Sequence, residues 1–286
     1  MTWLIFLALA AAIGGALWYL LIKTEGIYLG RGAVIWLYDL YAGRYDAIKQ
    51  YDAADEDVYL AQPILERLDC ARAPLVLDVA TGTGRLPLAL LEQPGFQGRI
   101  IALDLSRKML ARAAEKLAPF GDRAALLHHP AETLPFPDGA FDLVTCLETL
   151  EFLMGARAVL GELVRVLRPG GLLVLTNRQG LDARLMPGHT FTHEVFEQLL
   201  RDDLGLDRVE VLPWQLDYRI VYARKPGDAV PVGARPLEEV WRCPACAAVD
   251  LVPVRDGWRC LACETLVPRG ADGVIEAVRA RRERAR

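Results

Sequence analysis

The sequence predicts an α/β protein: a doubly wound, mostly parallel seven-stranded sheet, with a transmembrane helix before it and a small cysteine module after it. Three observations carry this. Short apolar runs alternate with helix-like stretches from Leu75 to about Thr176, the pattern of strands joined by covering helices. Residues Trp3 to Ile22 form a twenty-residue run without a charge. Near the C-terminus, Cys243 and Cys246, then Cys260 and Cys263, form two C-x-x-C pairs.

At about 1.5 Å per residue, Trp3–Ile22 spans roughly 30 Å, one bilayer core. Trp3 marks one end and Trp18 with Tyr19 the other, as interfacial aromatics do. A cleaved signal peptide is the rival reading. The run is long for that, and no basic residue precedes it. Lys23, Arg31, Arg44 and Lys49 follow, so the positive-inside rule predicts a single-pass membrane protein with its main domain on the cytoplasmic side.

Residues 26–70 are expected to form an aromatic lid with N-terminal helices. Tyr28, Trp36, Tyr38, Tyr41, Tyr45 and Tyr51 crowd its first half, lying either at the headgroup level or against the main domain. Val58–Leu68 reads as a helix. The main domain, 71–225, has predicted strands Leu75–Val79, Arg99–Leu103, Ala124–His128, Phe141–Cys146 and Gly171–Thr176. Helices Leu86–Glu92, Arg107–Leu117 and Ala156–Leu167 lie between them. Thr192–Asp203 is a further helix with Thr192 as its N-cap. Val209–Leu212 and Leu216–Ala223 read as an antiparallel pair closing the sheet, with Pro213 in the turn. Residues 226–240 read as a linker, 241–270 as the cysteine module and 271–286 as a basic tail. Arg279–Arg286 is either solvated or in contact with anionic lipid.

Composition sets bounds. A 286-residue chain with 53% hydrophobic residues holds a large core and accessories. A net charge of −4 supplies no basic field, which argues against nucleic acid as a partner. Of six cysteines, four sit in the paired module, so the usage points to a metal in a reducing compartment.

The stretch Leu77-Asp78-Val79-Ala80-Thr81-Gly82-Thr83-Gly84 is a strand, an acid and a glycine turn that opens a helix. A second strand follows and ends in Asp104. These are the parts of a Rossmann-like nucleotide-cofactor site. A dinucleotide fingerprint needs a third glycine, and Pro87 stands there. Asp78 would also repel a pyrophosphate, and no Walker lysine follows the turn. S-adenosylmethionine (SAM) fits better. Its sulfonium and ammonium favour carboxylates, and its ribose diol suits an acid such as Asp104.

Here the chain resembles the class I SAM-dependent methyltransferases, most closely the type 11 branch that includes the ubiquinone/menaquinone biosynthesis enzymes. The resemblance is carried by the glycine turn, Leu103-Asp104-Leu105-Ser106, Ala131-Glu132-Thr133-Leu134-Pro135-Phe136-Pro137-Asp138, Phe141-Asp142-Leu143-Val144, and Leu163 to Gly171. Tyr38-Asp39 and Tyr45-Asp46 are a weaker match to the branch's N-terminal segment. The resemblance implies that Asp78, Ala80, Gly82 and Gly84 meet the methionine end. It places Asp104 at the ribose, and Leu105, Ala131 and Glu132 about the adenine. Cys146, ending the fourth strand, is assigned to the same site. The branch often has an acid just before the Ala-Glu pair, and this chain has Pro130.

Methyl transfer from a sulfonium is an in-line displacement, so alignment and exclusion of water come first. A base is needed only where the acceptor must lose a proton. Candidates are His189, His193 and Glu148, with His128, His129 and Glu151 behind them. A membrane tether favours a lipophilic acceptor such as a quinone precursor or lipid. Alternatives are a SAM-binding scaffold without turnover, or an RNA or protein methyltransferase guided by the cysteine module. That module resembles a zinc ribbon. Cys243, Cys246, Cys260 and Cys263 suit a closed tetrahedral site for zinc, with iron as the minor alternative.

Overall fold

A computed structural model of the chain describes residues 2–68, 73–279 and 281–282. Cys70 and the last residues of the basic tail, 283–286, lie outside the described residues. The core is a seven-stranded sheet in the order β3-β2-β1-β4-β5-β7-β6. Its strands are β1 Leu75–Val79, β2 Arg99–Asp104, β3 Ala124–His128, β4 Phe141–Cys146, β5 Leu167–Arg178, β6 Asp207–Trp214 and β7 Tyr218–Arg224. The first five are mutually parallel, and β7 runs antiparallel between β5 and β6. Every residue of β1 and β4 is buried, because helices cover both faces of the sheet. The strand order reverses between β1 and β4, so a crevice opens beyond their carboxyl ends.

The predicted helix Arg107–Leu117 forms as expected, capped by Ser106, whose Oγ accepts from the Met109 N–H. Thr192 likewise caps His193–Gln198 through the Val195 N–H. The helix expected from Val58 begins earlier, because the Asp52 side chain caps Ala53–Glu56. It continues through Asp57–Ala61 into Gln62–Arg67. Pro213 is not in the turn. It lies within β6, paired with Arg219, and the turn falls at Gln215-Leu216-Asp217. Because β6 is the sheet's outer strand, a proline without an N–H costs no ladder bond there.

Among the described residues one helix is long and apolar enough to cross a membrane, Thr2–Lys23, and its most apolar stretch is entirely unburied. The aromatic segment packs on the main domain. Helix Arg31–Tyr41 buries Leu37 and faces Arg107–Leu117, while Trp36, Leu40 and Ile48 remain exposed.

The C-terminal module is a four-stranded sheet in the order β11-β10-β9-β8. It comprises β8 Leu251–Val254, β9 Gly257–Cys260, β10 Thr265–Pro268 and β11 Arg281–Arg282. The module packs against the main domain. Leu237, Val240, Trp241, Trp258, Val267 and Ile275 belong to the same apolar cluster as β4, β5 and helix Ala156–Val166. So small a module lacks a core of its own and borrows one. The expected linker is likewise fastened, since the Val232 and Gly233 N–H groups donate to Asp142. The start of the expected tail is structural too: Ile275, Glu276 and Ala277 are buried.

Candidate functional site

At the end of β1 the chain turns through Ala80 (φ 58°), Gly82 (φ 56°) and Gly84 (φ 79°). Ala80 is held left-handed without glycine's freedom, a strained conformation of the sort that gathers at functional sites. The turn is drawn onto the end of β2 by two bonds. The Thr81 N–H donates to the Leu103 carbonyl at 3.0 Å, and the Gly82 N–H to Asp104 Oδ2 at 2.8 Å. Asp104 Oδ1 accepts from the Ser106 N–H at 2.7 Å. Burial raises the Asp104 carboxyl, although these backbone donors oppose it. Asp78 is 3% exposed and takes the Thr145 hydroxyl at 2.6 Å. Burial lifts its carboxyl to about 6, against the Thr145 hydrogen bond.

These residues floor a cavity whose far wall is Leu105, His129, Ala131 and Glu132. Glu148 closes another side, held left-handed at φ 50°. It pairs with Lys49 at 2.9 Å and Arg85 at 2.6 Å, and Arg85 also binds Glu56 at 2.6 Å. Burial works against the charge of Glu148, but the two cations outweigh it and hold its carboxyl below the usual range. The Arg85 guanidinium lies 4.2 Å from the centre of the Tyr51 ring.

The roof is the aromatic segment, with Val34, Ile35, Tyr38, Tyr45 and Tyr51 facing the cavity. Its clamps are the two tyrosine–aspartate pairs, in which the tyrosine turns inward and the aspartate grips the domain. Asp39 Oδ1 accepts the Ser106 hydroxyl at 2.6 Å, and Asp46 accepts from Thr83 at 2.5 Å and Lys116 at 2.8 Å. Arg31 pairs with Glu132 across the rim.

Of the residues expected at the cofactor, Asp78, Ala80, Gly82, Asp104, Leu105, Ala131 and Glu132 all line this cavity. Two expected there are not among the lining residues. Gly84 turns away, and a Cβ there would sit 3.2 Å from the Ala113 Cβ, so its smallness serves helix packing. Cys146 is fully buried between β1 and β5, and burial pushes its thiol up. Of the histidines expected as bases, His189, His193 and His128 also lie elsewhere. His189 faces the Glu151 carbonyl at 3.0 Å and the edge of Tyr28, and His193 sits beside Glu197 at 3.7 Å. His128 is tied to Glu276 and the Leu105 carbonyl. Glu151 is buried in an ion pair with Arg178 at 2.6 Å. Among the named candidates, Glu148 and His129 line the cavity, and burial pushes His129 down. The roof tyrosines fall in the expected lid and Glu148 was a named candidate, whereas Lys49, Arg85 and Glu56, which form the ion-pair chain with it, were not anticipated as site residues.

In the C-terminal module the four cysteine sulfurs lie within 4.8 Å of one another, with Cys243–Cys263 at 3.7 Å and Cys246–Cys260 at 3.6 Å. A tetrahedron with bonds of about 2.3 Å has edges of about 3.8 Å, so the donor set fits zinc in both chemistry and spacing. The Ala245 N–H points at Cys243 Sγ at 3.4 Å, a supporting donor suited to a metal-bound sulfur.

A family model described as a methyltransferase domain matches residues 76–171, the span from β1 to the start of β5 that builds the floor. Over those residues the chain is similar to a methyltransferase domain. Its curated relatives include the demethylmenaquinone methyltransferase of Thermus thermophilus, 39% identical over 136 residues, 47% of this chain and 60% of the relative. The enzyme of the same name from Shouchella clausii is 35% identical over 145 residues, 48% of this chain and 60% of the relative. The ubiquinone/menaquinone biosynthesis C-methyltransferase UbiE of Geobacter sulfurreducens is 32% identical over 136 residues, covering 47% and 53%. The chain therefore spans about 60% or less of the length of these relatives. A SAM-dependent methyltransferase of Aquifex aeolicus shares the fold, with a TM-score of 0.52, 24% identity and coverage of 65% and 97%. So does the [4+2]-cyclase SpnF, with a TM-score of 0.56, 20% identity and coverage of 68% and 96%.

Proposed function

We propose that the protein is a membrane-anchored, SAM-dependent methyltransferase acting on a lipophilic acceptor, a quinone precursor or a lipid-like molecule. The observation that carries the reading is the continuity of the apolar helix Thr2–Lys23 with the roof of the cavity. An apolar pocket joins them, lined by Leu21, Ile22, Leu37, Tyr38, Tyr41 and Ile48, and Tyr38 also faces the candidate donor site. The helix end is tied to the domain: Tyr19 donates to the Leu185 carbonyl at 2.6 Å, and Lys23 pairs with Asp182. Those contacts suit a retained anchor better than a cleaved leader. Exposed Trp36, Leu40 and Ile48 give the roof an apolar outer face for the bilayer surface.

SAM, when bound, supplies a methyl group on a cationic sulfonium. Asp104 would grip its ribose hydroxyls with the lone pairs left after binding Gly82 and Ser106. Asp78 would face the methionine end, where a nearby cation favours its ionised form. Leu105 and Ala131 would flank the adenine. With Pro130 unable to read the adenine amino group, that contact falls to the Glu132 carboxylate, while the Ala131 N–H would donate to a ring nitrogen of the adenine. The tyrosine roof would exclude water, so that the acceptor meets the donor in line. Where the acceptor must lose a proton, His129 is the base within the cavity, since burial keeps its ring neutral. We assign zinc to the four cysteines as a structural ion, since four thiolates close the coordination sphere. The demethylmenaquinone relatives support the quinone class.

A scaffold that binds SAM without turnover is the second reading. It is favoured by the engagement of Glu132 with Arg31 and of Glu148 with Lys49 and Arg85. Incubating the full chain with methyl-labelled SAM and native membranes separates the two. Label in the extracted lipid supports the enzyme, label in protein or RNA moves the acceptor to that class, and binding without any label supports the scaffold.

A further inference from the structure

The cysteine module meets the methyltransferase domain at the outer edge of β3, and its contacts run on into the candidate donor site. The Ile275 N–H donates to the Leu126 carbonyl at 2.9 Å, and the His128 N–H donates to the Ile275 carbonyl at 2.8 Å. One residue of the module thus continues the sheet past its last strand. The next residue, Glu276, is 5% exposed. Its Oε2 lies 3.0 Å from His128 Nδ1, and its Oε1 accepts from Arg107 Nε at 2.5 Å. Arg107 also binds Asp272 at 2.8 Å.

The opposite edge of the His128 ring faces the donor site. His128 Nε2 lies 3.1 Å from the carbonyl oxygen of Leu105, and the neighbouring His129 N–H donates to the Asp104 carbonyl at 3.2 Å. The two ring nitrogens of His128 thus bridge an oxygen of Glu276 on one side and the Leu105 carbonyl on the other. Burial opposes the charge on Glu276, but Arg107 and His128 outweigh it and hold its carboxyl below the usual range. A buried carboxylate so compensated is fixed in place, and removing one partner leaves the other uncompensated.

We propose that the cysteine module is a positioning element for the methyl-donor site: Glu276, acting through His128, fixes the Asp104–Leu105 loop. Neither Glu276 nor His128 touches the donor in this scheme. They set the backbone that carries the ribose-binding carboxylate and the adenine-facing leucine. Affinity for SAM then depends on a folded module, and hence on its metal.

The proposal rests on the cavity's being a SAM site, and the experiment separates the two. The full chain in detergent is titrated calorimetrically with S-adenosylhomocysteine. No binding by the unaltered protein overturns the SAM reading itself. With that binding established, Glu276→Ala and His128→Ala should each weaken it about tenfold. The double variant should weaken it no further, as expected of two groups acting in one chain of contacts. Glu276→Gln, which keeps an acceptor, should recover part of the loss. Variants should raise the KM for SAM with kcat largely kept. Stripping the metal with a chelator should lower the affinity of the unaltered protein, and added zinc should restore it. Affinity unchanged in a folded Glu276→Ala protein overturns the proposal, as do fully additive losses or a metal-free protein that binds as before. If the alanine variants do not fold, Glu276→Gln and His128→Gln give the same cycle with side chains of similar size.

Discussion

Asp78 sits at the end of β1 with its carboxylate buried, and burial raises it from its ordinary 3.8 to about 6. A folded-state value above the unfolded one means that its protonated form favours the fold. Its contribution to stability is complete below about pH 4 and lost as pH rises through about 6, a difference of about 3 kcal/mol. Asp78→Asn should therefore melt higher than the unaltered protein at pH 7.5 in the absence of SAM, and the advantage should vanish near pH 4. The same variant should bind SAM more weakly at pH 7.5, since it lacks the charge facing a cationic ligand. Melting curves at the two pH values check the first claim, and an advantage independent of pH would contradict it. Individual residues were legible where their chemistry is local: an acid ending a strand, or glycines in a turn. They were illegible where a role depends on distant chain. Glu148 is separated by 99 residues from Lys49 and by 63 from Arg85, and no periodicity brings such partners together. Asp142 belongs to a motif of the resemblance, yet it works as a structural clamp. It accepts from the Leu75, Val232 and Gly233 N–H groups and pairs with Arg168 at 2.6 Å.

At the scale of elements, the glycine turn divides its work. Gly82 faces the cavity, while Gly84 lets helix Arg85–Leu91 close on Arg107–Leu117. Gly84→Ala combines a left-handed φ with a tight contact and should cost about 1–3 kcal/mol. Thermal melting reads that loss. Affinity for S-adenosylhomocysteine in the folded fraction should stay near that of the unaltered protein, and an unchanged melting temperature would refute the packing role. Strands β1, β3 and β4 and helix Arg107–Leu117 were read with their ends in place, because apolar runs and an N-cap are written in adjacent residues. Strand β5 runs four residues earlier and two later than expected. It passes through Arg168-Pro169-Gly170-Gly171, a stretch that reads locally as a turn. Pro213 misled in the same way, since only the assembled sheet makes β6 its edge.

Across the whole molecule, the module and the methyltransferase domain share a core, so they should unfold together. Cys260→Ser should abolish bound zinc, measured by elemental analysis, and lower the single melting transition of the entire chain. Two separate transitions would show an independent module. Deleting residues 2–17 leaves the Tyr19 and Lys23 contacts in place. It should move the protein from the membrane pellet to the supernatant without loss of S-adenosylhomocysteine binding. Retention in the pellet would place the attachment elsewhere, for instance on exposed Trp36 and Leu40. The apolar N-terminal helix and the cysteine pairs were legible as composition. The merging of module and domain was not, because it depends on Ile275 and Glu276, which nothing in the sequence marks. The central claim is that Asp104, Asp78 and the glycine turn hold SAM, and calorimetric titration of the full chain and its Asp104→Ala variant with S-adenosylhomocysteine tests it most directly. The account predicts binding at one site per chain by the unaltered protein and a loss of at least about tenfold in the variant. Equal affinity in the two proteins would contradict it.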